Sequence, residues 1–324
     1  MRSANLKTGP LSPASLLARG SCTIVLIELL ATGLIIYSLI FLIADVLPLD
    51  PARAMLGPAA SEASVTVLRQ QLGLNEPLGT RYFSTLWRML QGDFGPSFFF
   101  DRPAGAIIAE TAPLTLGRTV AALLLGALAG AWAAWLARER EIPLVRGVLS
   151  VGQSTPTLCL LVLLLWLFSR GLGVTPLDNR LVYELLGIVA AAAYPAGAVG
   201  LLFCDRLNPA GHPSRHIDFL RLLHAPSGRL RAIVFAESLP SALAVTLNAL
   251  LPTLTAITFV EFIFGLEGFG SVYIQSCARG DLSVVVAGSI SVALLLLITQ
   301  KLGDWFLRRL DSRLGGHILH TAGP

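Results

Sequence analysis

Few residues in this chain could do chemistry, and their spacing removes most of the options. His212 and His216, four apart and near Cys204 and Asp218, could share a helical face and hold a metal. Pro213 lies between them and no third fixed ligand accompanies them, so they read as ordinary exposed histidines. Cys22, Cys159, Cys204 and Cys277 are scattered without C-x-x-C spacing, which leaves neither a disulfide framework nor a zinc site. Lysine occurs only at Lys7 and Lys301, so the Gly-Lys-Ser/Thr end of a phosphate-binding loop is missing. No paired carboxylates, Ser/His pairing or HExxH helix stands at a membrane face. The expectation is a non-catalytic chain with no metal and no cofactor of its own.

What remains is a handful of charges in apolar surroundings. Arg118 lies about two turns into an apolar run, where a long side chain can snorkel to the outer interface; the other reading is a place on a substrate path. Glu184, Lys301 and Asp304 stand near the ends of such runs and are expected to be solvated, and Glu261, before Phe262–Gly270, reads as a structural or gate residue. No series of Asp, Glu and His crosses the chain as a proton relay would.

The elements that position these residues follow from composition. Over 324 residues the chain is 54% hydrophobic and 14% charged, against roughly 25% charged in a soluble domain. This is a polytopic membrane protein. Its net charge of +4 does not point to nucleic acid, because the arginines gather at the ends of apolar runs, where membrane topology places them.

Six apolar runs are long enough to cross a bilayer: Cys22–Ala44, Thr111–Leu136, Val148–Phe168, Val182–Phe203, Pro240–Phe264 and Leu282–Leu307. Arg2, Lys7 and Arg19 precede the first, which is expected to be a retained helix and not a cleaved signal. Arg138, Arg140 and Arg146, the arginines of 205–239, and Arg308, Arg309 and Arg313 fall in alternate connections, giving an N-in, C-in orientation. The expected architecture is an all-α membrane protein of six transmembrane helices. A cytoplasmic segment at 1–21 leads into the first helix at 22–44, and 45–109 forms a small extracytoplasmic helical domain with amphipathic stretches at Glu62–Leu72 and Leu78–Leu90. A five-helix core at 110–309 and a cytoplasmic tail at 310–324 complete it.

Within the runs, Gly126-x-x-x-Gly130 and the small residues Ala190–Ala193, Gly197 and Gly200 would let helix backbones approach closely. Thr155-Pro156, Tyr194-Pro195 and Pro252 interrupt the third, fourth and fifth runs; such breaks can line a path, with Pro156 the candidate, and otherwise act as simple kinks.

The polar, Arg-rich segment 205–239 cannot sit in lipid. Between Pro213 and Pro226 it can form a short helix, with Ile217, Leu220 and Leu223 on one face and Arg215, Asp218 and Arg221 towards another. So short a helix is unstable alone in water and must rest on its own bundle or on a partner.

This order of helix, turn, second helix and span, from Asp218-Phe219-Leu220-Arg221 through Ala225 and Pro226-Ser227-Gly228 to Glu237-Ser238-Leu239-Pro240, resembles the EAA coupling region of bacterial ABC-importer permeases. The family's glycine position reads Ser227 here, with Gly228 one place later. In 45–109, the stretches Leu49–Gly57, Leu68–Leu78, Arg81-Tyr82 and Gly92-Asp93-Phe94-Gly95-Pro96-Ser97 are similar to the B-type, first-permease subunit of dipeptide, oligopeptide and nickel importers. Glu261–Phe264, Gly268–Gly270 and Arg279-Gly280-Asp281 extend the likeness, which runs from about Ile27 to Leu314.

The resemblance implies a subunit of a larger machine. Its partners would be a second, C-type permease, two cytoplasmic ABC ATPases that bind the ATP and magnesium, an extracytoplasmic solute-binding protein and membrane lipid. Ile217, Asp218, Phe219, Leu220, Arg221, Leu223, Ala225, Ser227 and Gly228 would form the coupling loop, and Arg118, Pro156 and Glu261 are candidates for the path or gate. The cargo would be di- or oligopeptides or a related small solute. Nickel or a metallophore is the alternative within the family, and a self-contained secondary transporter the alternative outside it.

Overall fold

The computed structural model describes residues 13–46, 51–57, 59–71, 73–97, 99–137, 143–171, 180–207 and 227–319. Nearly all of them are helical. The helix α1 (Pro13–Val46) is followed by three short helices, α2 (Pro51–Leu56), α3 (Glu62–Gln71) and α4 (Leu78–Leu90). A two-residue antiparallel pair, β1 (Pro96–Ser97) with β2 (Arg102–Pro103), leads into α5 (Ala104–Leu136). The remaining helices are α6 (Pro143–Ser154), α7 (Thr157–Gly171), α8 (Arg180–Leu207), α9 (Ser227–Asn248), α10 (Leu250–Phe264), α11 (Phe269–Arg279) and α12 (Leu282–Leu319).

Lipid supplies no hydrophobic drive between helices, so close packing has to hold them together. The sequence provides for this at α5 and α8. A Cβ on Gly126 would lie 2.5 Å from the Ala192 carbonyl oxygen, and one on Gly130 would lie 2.2 Å from that of Ala196. Neither atom could exist without moving a backbone. The adjacent face of α8 receives α6, where a Cβ on Gly197 would stand 2.4 Å from the Leu149 carbonyl oxygen. The small-residue pattern of 126–130 and 190–200 is therefore the central helix contact.

Around that seam the core is built in layers. Ala122, Ala191, Ala192, Ala256 and Ile257 join α5, α8 and α10; Leu161, Ala190 and Val260 bring in α7. Ala134, Val199, Phe203, Val234 and Ala242 join α5 and α8 to α9. At the other end Ala104, Ile107, Phe269, Val284 and Ala287 join α5, α11 and α12.

Among the described residues four helices are long and apolar enough to cross a membrane, Ala104–Leu136, Arg180–Leu207, Gly228–Asn248 and Leu282–Leu307, and counting each of two bent pairs as one span raises this to six. The run expected as a third span is one of those pairs, α6 and α7, which meet at 108° around Thr155 and Pro156. That is a turn of the chain, sharper than the kink expected. Pro156 has no N–H to continue the helix, and its carbonyl starts α7 by accepting from Cys159 N at 2.9 Å. Pro195, by contrast, lies inside α8, while Pro252 falls in the first turn of α10, just after a break at Ala249.

The fifth run also differs from expectation. Helix begins at Ser227, before Pro240, and divides at Ala249, with Asn248 ending α9 and Leu250 opening α10. The chain then turns 74° between α10 and α11. Gly265 makes the turn at φ +62°, a conformation that side chains with a Cβ disfavour, and its N–H returns to Phe262. In α1, Ile27–Ile43 is apolar. Its Glu28 is paired with Lys301 of α12 at 2.6 Å, so Lys301, expected to be solvated, instead ties the first helix to the last.

Candidate functional site

The densest polar cluster among the described residues surrounds Glu261, whose side chain is fully buried in the last turn of α10. An unpaired carboxylate there would be costly, and the chain answers it from two other segments. Thr115 and Arg118, one turn apart on α5, both reach it. The Thr115 hydroxyl lies 2.8 Å from each carboxylate oxygen, and the Arg118 guanidinium donates from Nη1 to Oε1 at 2.7 Å. From the start of α11, the Gly270 N–H donates to Oε2 at 2.9 Å.

Arg118 is itself spent on this cluster. Its Nε donates to Glu184 of α8 at 2.6 Å and its Nη1 also donates to the Glu267 carbonyl at 2.6 Å. With its side chain only 10% exposed, Arg118 turns inward between two carboxylates. This corrects the expectation that it snorkels, and likewise the expectation that Glu184 is simply solvated. The fork of N–H groups on a guanidinium suits such a bridge, where a lysine would offer a single point of charge.

The cluster also completes a helix end. The first N–H groups of α11 have no partners within that helix. Phe269 N–H donates to the Thr115 hydroxyl at 2.8 Å, while Gly270 N–H takes the Glu261 carboxylate. Negative charge is favoured at that terminus by the helix dipole. Gly268 and Gly270 make room for this arrangement. A Cβ at 268 would lie 2.3 Å from the Glu261 carboxylate, and one at 270 would lie 2.4 Å from the Thr258 Cα. The clasp thus joins α5, α8, α10 and the loop entering α11. At its rim, Arg180 stands 3.5 Å from Glu267.

A second polar join lies between 45–109 and the last helix. The buried Ser97 hydroxyl donates to the buried Asp281 carboxylate and accepts from Phe100 N–H at 3.1 Å. Arg279 covers the Phe99 ring with its guanidinium carbon 3.4 Å from the centroid, a cation–π contact. Far along the bundle, Arg146 of α6 pairs with Asp205 of α8 at 2.6 Å, in exposed surroundings.

Of the residues singled out from sequence, Arg118 and Glu261 meet in the clasp. Pro156 does not join them; it sits exposed at the elbow of α6 and α7. Ile217, Asp218, Phe219, Leu220, Arg221, Leu223 and Ala225 lie outside the described residues, as do His212 and His216, while Ser227 and Gly228 open α9. Among the described residues no group of three or more His, Cys, Asp or Glu could hold a metal. Thr115 was not anticipated, although its spacing from Arg118 on one helix face was there to see. Glu28 and Lys301, two lone charges in apolar runs, carried a similar signal.

Comparison with known proteins agrees with this architecture. The family described as "Binding-protein-dependent transport system inner membrane component" matches residues 122–316, and its N-terminal companion, "Binding-prot-dependent transport system membrane comp, N-term", matches residues 15–117. The chain is 30% identical over 302 residues to the glutathione transport system permease protein GsiC of Salmonella choleraesuis (strain SC-B67), covering 86% of this chain and 93% of that protein. It is 29% identical over 300 residues to GsiC of Shigella boydii serotype 4 (strain Sb227), with 86% and 93% covered. A Brucella abortus (strain 2308) protein, provisionally named a peptide transport system permease protein, is 27% identical over 299 residues, with 87% and 94% covered.

The chain therefore belongs to the binding-protein-dependent transport system inner membrane component family. Within it, the chain is an ABC-importer permease of the peptide/oligopeptide type, a non-catalytic, multi-pass subunit of the bacterial inner membrane. Such a permease works with ATPase and binding-protein partners.

Proposed function

We propose that this chain is the first, B-type permease of an importer that moves di- or oligopeptides, or a related small solute, across the inner membrane. Solute arrives from the binding protein, and ATP hydrolysis in two cytoplasmic ATPase subunits drives the cycle. A second, C-type permease completes the path as a heterodimer. The observation that carries the reading is the 30% identity to a glutathione permease across 93% of its length, since glutathione is itself a small peptide.

In this reading the chain crosses the membrane six times with both termini in the cytoplasm. The segment 45–109 lies outside and 205–239 inside, where a short helix around Asp218 and Arg221, stopped at the turn Pro226-Ser227-Gly228, rests in the ATPase. Arg118 and Glu261 serve as a gate. Their position at the junction of α5, α8, α10 and the α11 loop supports this, because a clasp on four segments must open or travel as a unit when those segments move apart. Pro156 gives α6 and α7 the elbow about which such movement can occur.

Uptake measurements test the cargo. In a strain lacking this gene, labelled dipeptide, tripeptide, glutathione and nickel are offered separately. Loss of peptide or glutathione uptake, restored by the gene, is the expected result, and loss confined to nickel overturns it. Replacing Asp218 and Arg221 together by Ala tests the coupling loop; unchanged ATPase association and unchanged uptake would exclude it.

A further inference from the structure

We infer that α4 is an interfacial helix, seated on the bilayer surface with Phe83, Trp87 and Leu90 in the lipid. These side chains are 68%, 66% and 62% exposed, and no residue of α4 is buried. At 100° per residue the helix divides into three arcs. Tyr82, Leu86 and Met89 form a half-buried arc. Phe83, Trp87 and Leu90 form an exposed apolar arc beside it, and Ser84, Arg88 and Gln91 a polar arc beyond.

What covers the apolar arc follows from where α4 is anchored. The Tyr82 hydroxyl pairs with Ser38 at 2.8 Å, and its carbonyl accepts from Tyr37 at 2.9 Å. Its ring packs edge-on to Phe41, with centroids 5.3 Å apart. Tyr37, Ser38 and Phe41 belong to the apolar stretch Ile27–Ile43 of α1. Asp45, the first charge after that stretch, takes Arg81 of α4 at 3.4 Å. Tyr37 precedes Asp45 by eight residues, roughly 12 Å of helix. Thus α4 spans the boundary: Arg81 lies level with the charged end of α1, and Tyr82 reaches below it.

A helix fixed at that depth meets the bilayer. The exposed face of α1 there consists of Leu34, Ile35, Leu39, Leu42 and Ile43, so the α4 arc adds to an apolar surface on the membrane-crossing stretch. Amphipathic helices that lie in an interface bury their apolar side roughly 5–10 Å into the headgroup and acyl boundary, with Trp and Phe on that side and arginine on the other. Trp87 occupies the level at which aromatic belts form. A soluble partner would find this arc facing the membrane, with only the Ser84–Arg88–Gln91 side open to water.

Site-directed spin labelling tests the assignment on the full chain, assembled with its partner subunits in nanodiscs of phosphatidylethanolamine and phosphatidylglycerol. The four native cysteines are first replaced by Ser. Labels are then placed one at a time at Phe83→Cys, Trp87→Cys, Leu90→Cys and, on the polar arc, Ser84→Cys. The expected result is that oxygen collisions exceed nickel-chelate collisions at the first three sites and that the order reverses at Ser84→Cys. All four sites favouring the chelate would overturn the inference. So would shielding of the apolar arc that appears only when the binding protein is added, since that would make the arc a protein-docking surface. The readout does not depend on the solute carried or on which leaflet is involved, so failure of the functional proposal leaves it intact.

Discussion

The Ser97 hydroxyl donates to the Asp281 carboxylate across 184 positions of chain, and both groups are buried. Two short motifs, one ending the segment 45–109 and one opening the last helix, are thereby fastened into a single structure. Replacing Asp281 by Ala leaves a buried hydroxyl without its acceptor and removes the carboxylate 3.5 Å from Val284 N–H at the start of α12. The expected loss is about 1–3 kcal/mol. It should appear as a lower melting temperature in detergent and as earlier proteolysis within 45–109. Asp281→Asn keeps an acceptor and should lose less; equal loss from both variants would mean that the hydrogen bond is not what matters.

Removing Arg118 should be among the most damaging single changes. Arg118→Ala leaves the fully buried Glu261 carboxylate with only Thr115 and the Gly270 N–H. Breaking one side of a buried pair costs about 3–5 kcal/mol. Glu261→Gln in the same chain should recover part of that loss, because the uncompensated charge is gone. Thermal stability of the single and double variants by size-exclusion chromatography decides it: a double variant no better than Arg118→Ala would rule out charge pairing as the reason for the clasp.

Gly130→Ala should separate α5 from α8. The added methyl would meet the Ala196 carbonyl oxygen at 2.2 Å, and backbone cannot step aside as a flexible side chain can. Overpacking of this kind costs about 1–3 kcal/mol or more. Gly147→Ala on α6, with nothing within 4 Å, is the control and should be silent. Equal melting temperatures for the two variants would contradict the packing described for the central seam.

The Glu28–Lys301 pair predicts rescue by exchange. Glu28→Gln leaves Lys301 without its partner, a loss of about 1 kcal/mol for a pair whose side chains are both partly exposed. Membrane abundance of that variant should fall. The double exchange Glu28→Lys with Lys301→Glu should restore it, and failure of the exchange would show that position, not opposite charge, is required.

Much of this was legible in the sequence because lipid imposes few solutions. Long apolar runs at 111–136, 182–203 and 282–307 all fall within helices, and the amphipathic stretch at Leu78–Leu90 matches α4 in full. Four-residue spacing of glycine at 126 and 130 carried its meaning locally, since close approach needs only the absence of a side chain. What could not be read was set at long range. Arg118 finds Glu184 and Glu261 at 66 and 143 positions away, and no local pattern states that they meet. Proline at 156 announces a break but not an angle, because the 108° depends on what α6 and α7 pack against. The fifth run was displaced for a related reason: Asn248 and Pro252 flank Ala249 within an otherwise apolar stretch, but a lone polar residue or proline does not state where the backbone will break.

The two matched family regions end at residue 117 and begin at residue 122, and α5 runs from 104 to 136 through that gap without a break. Arg118 stands in the gap and binds Glu184 and Glu261 of the second region. A gene divided at this apparent junction would give two fragments that each hold part of one continuous helix, and a cut after Arg118 would part it from Glu184 and Glu261, both of which lie in the second. The parts by which the chain is recognised are thus not parts into which it can be taken apart.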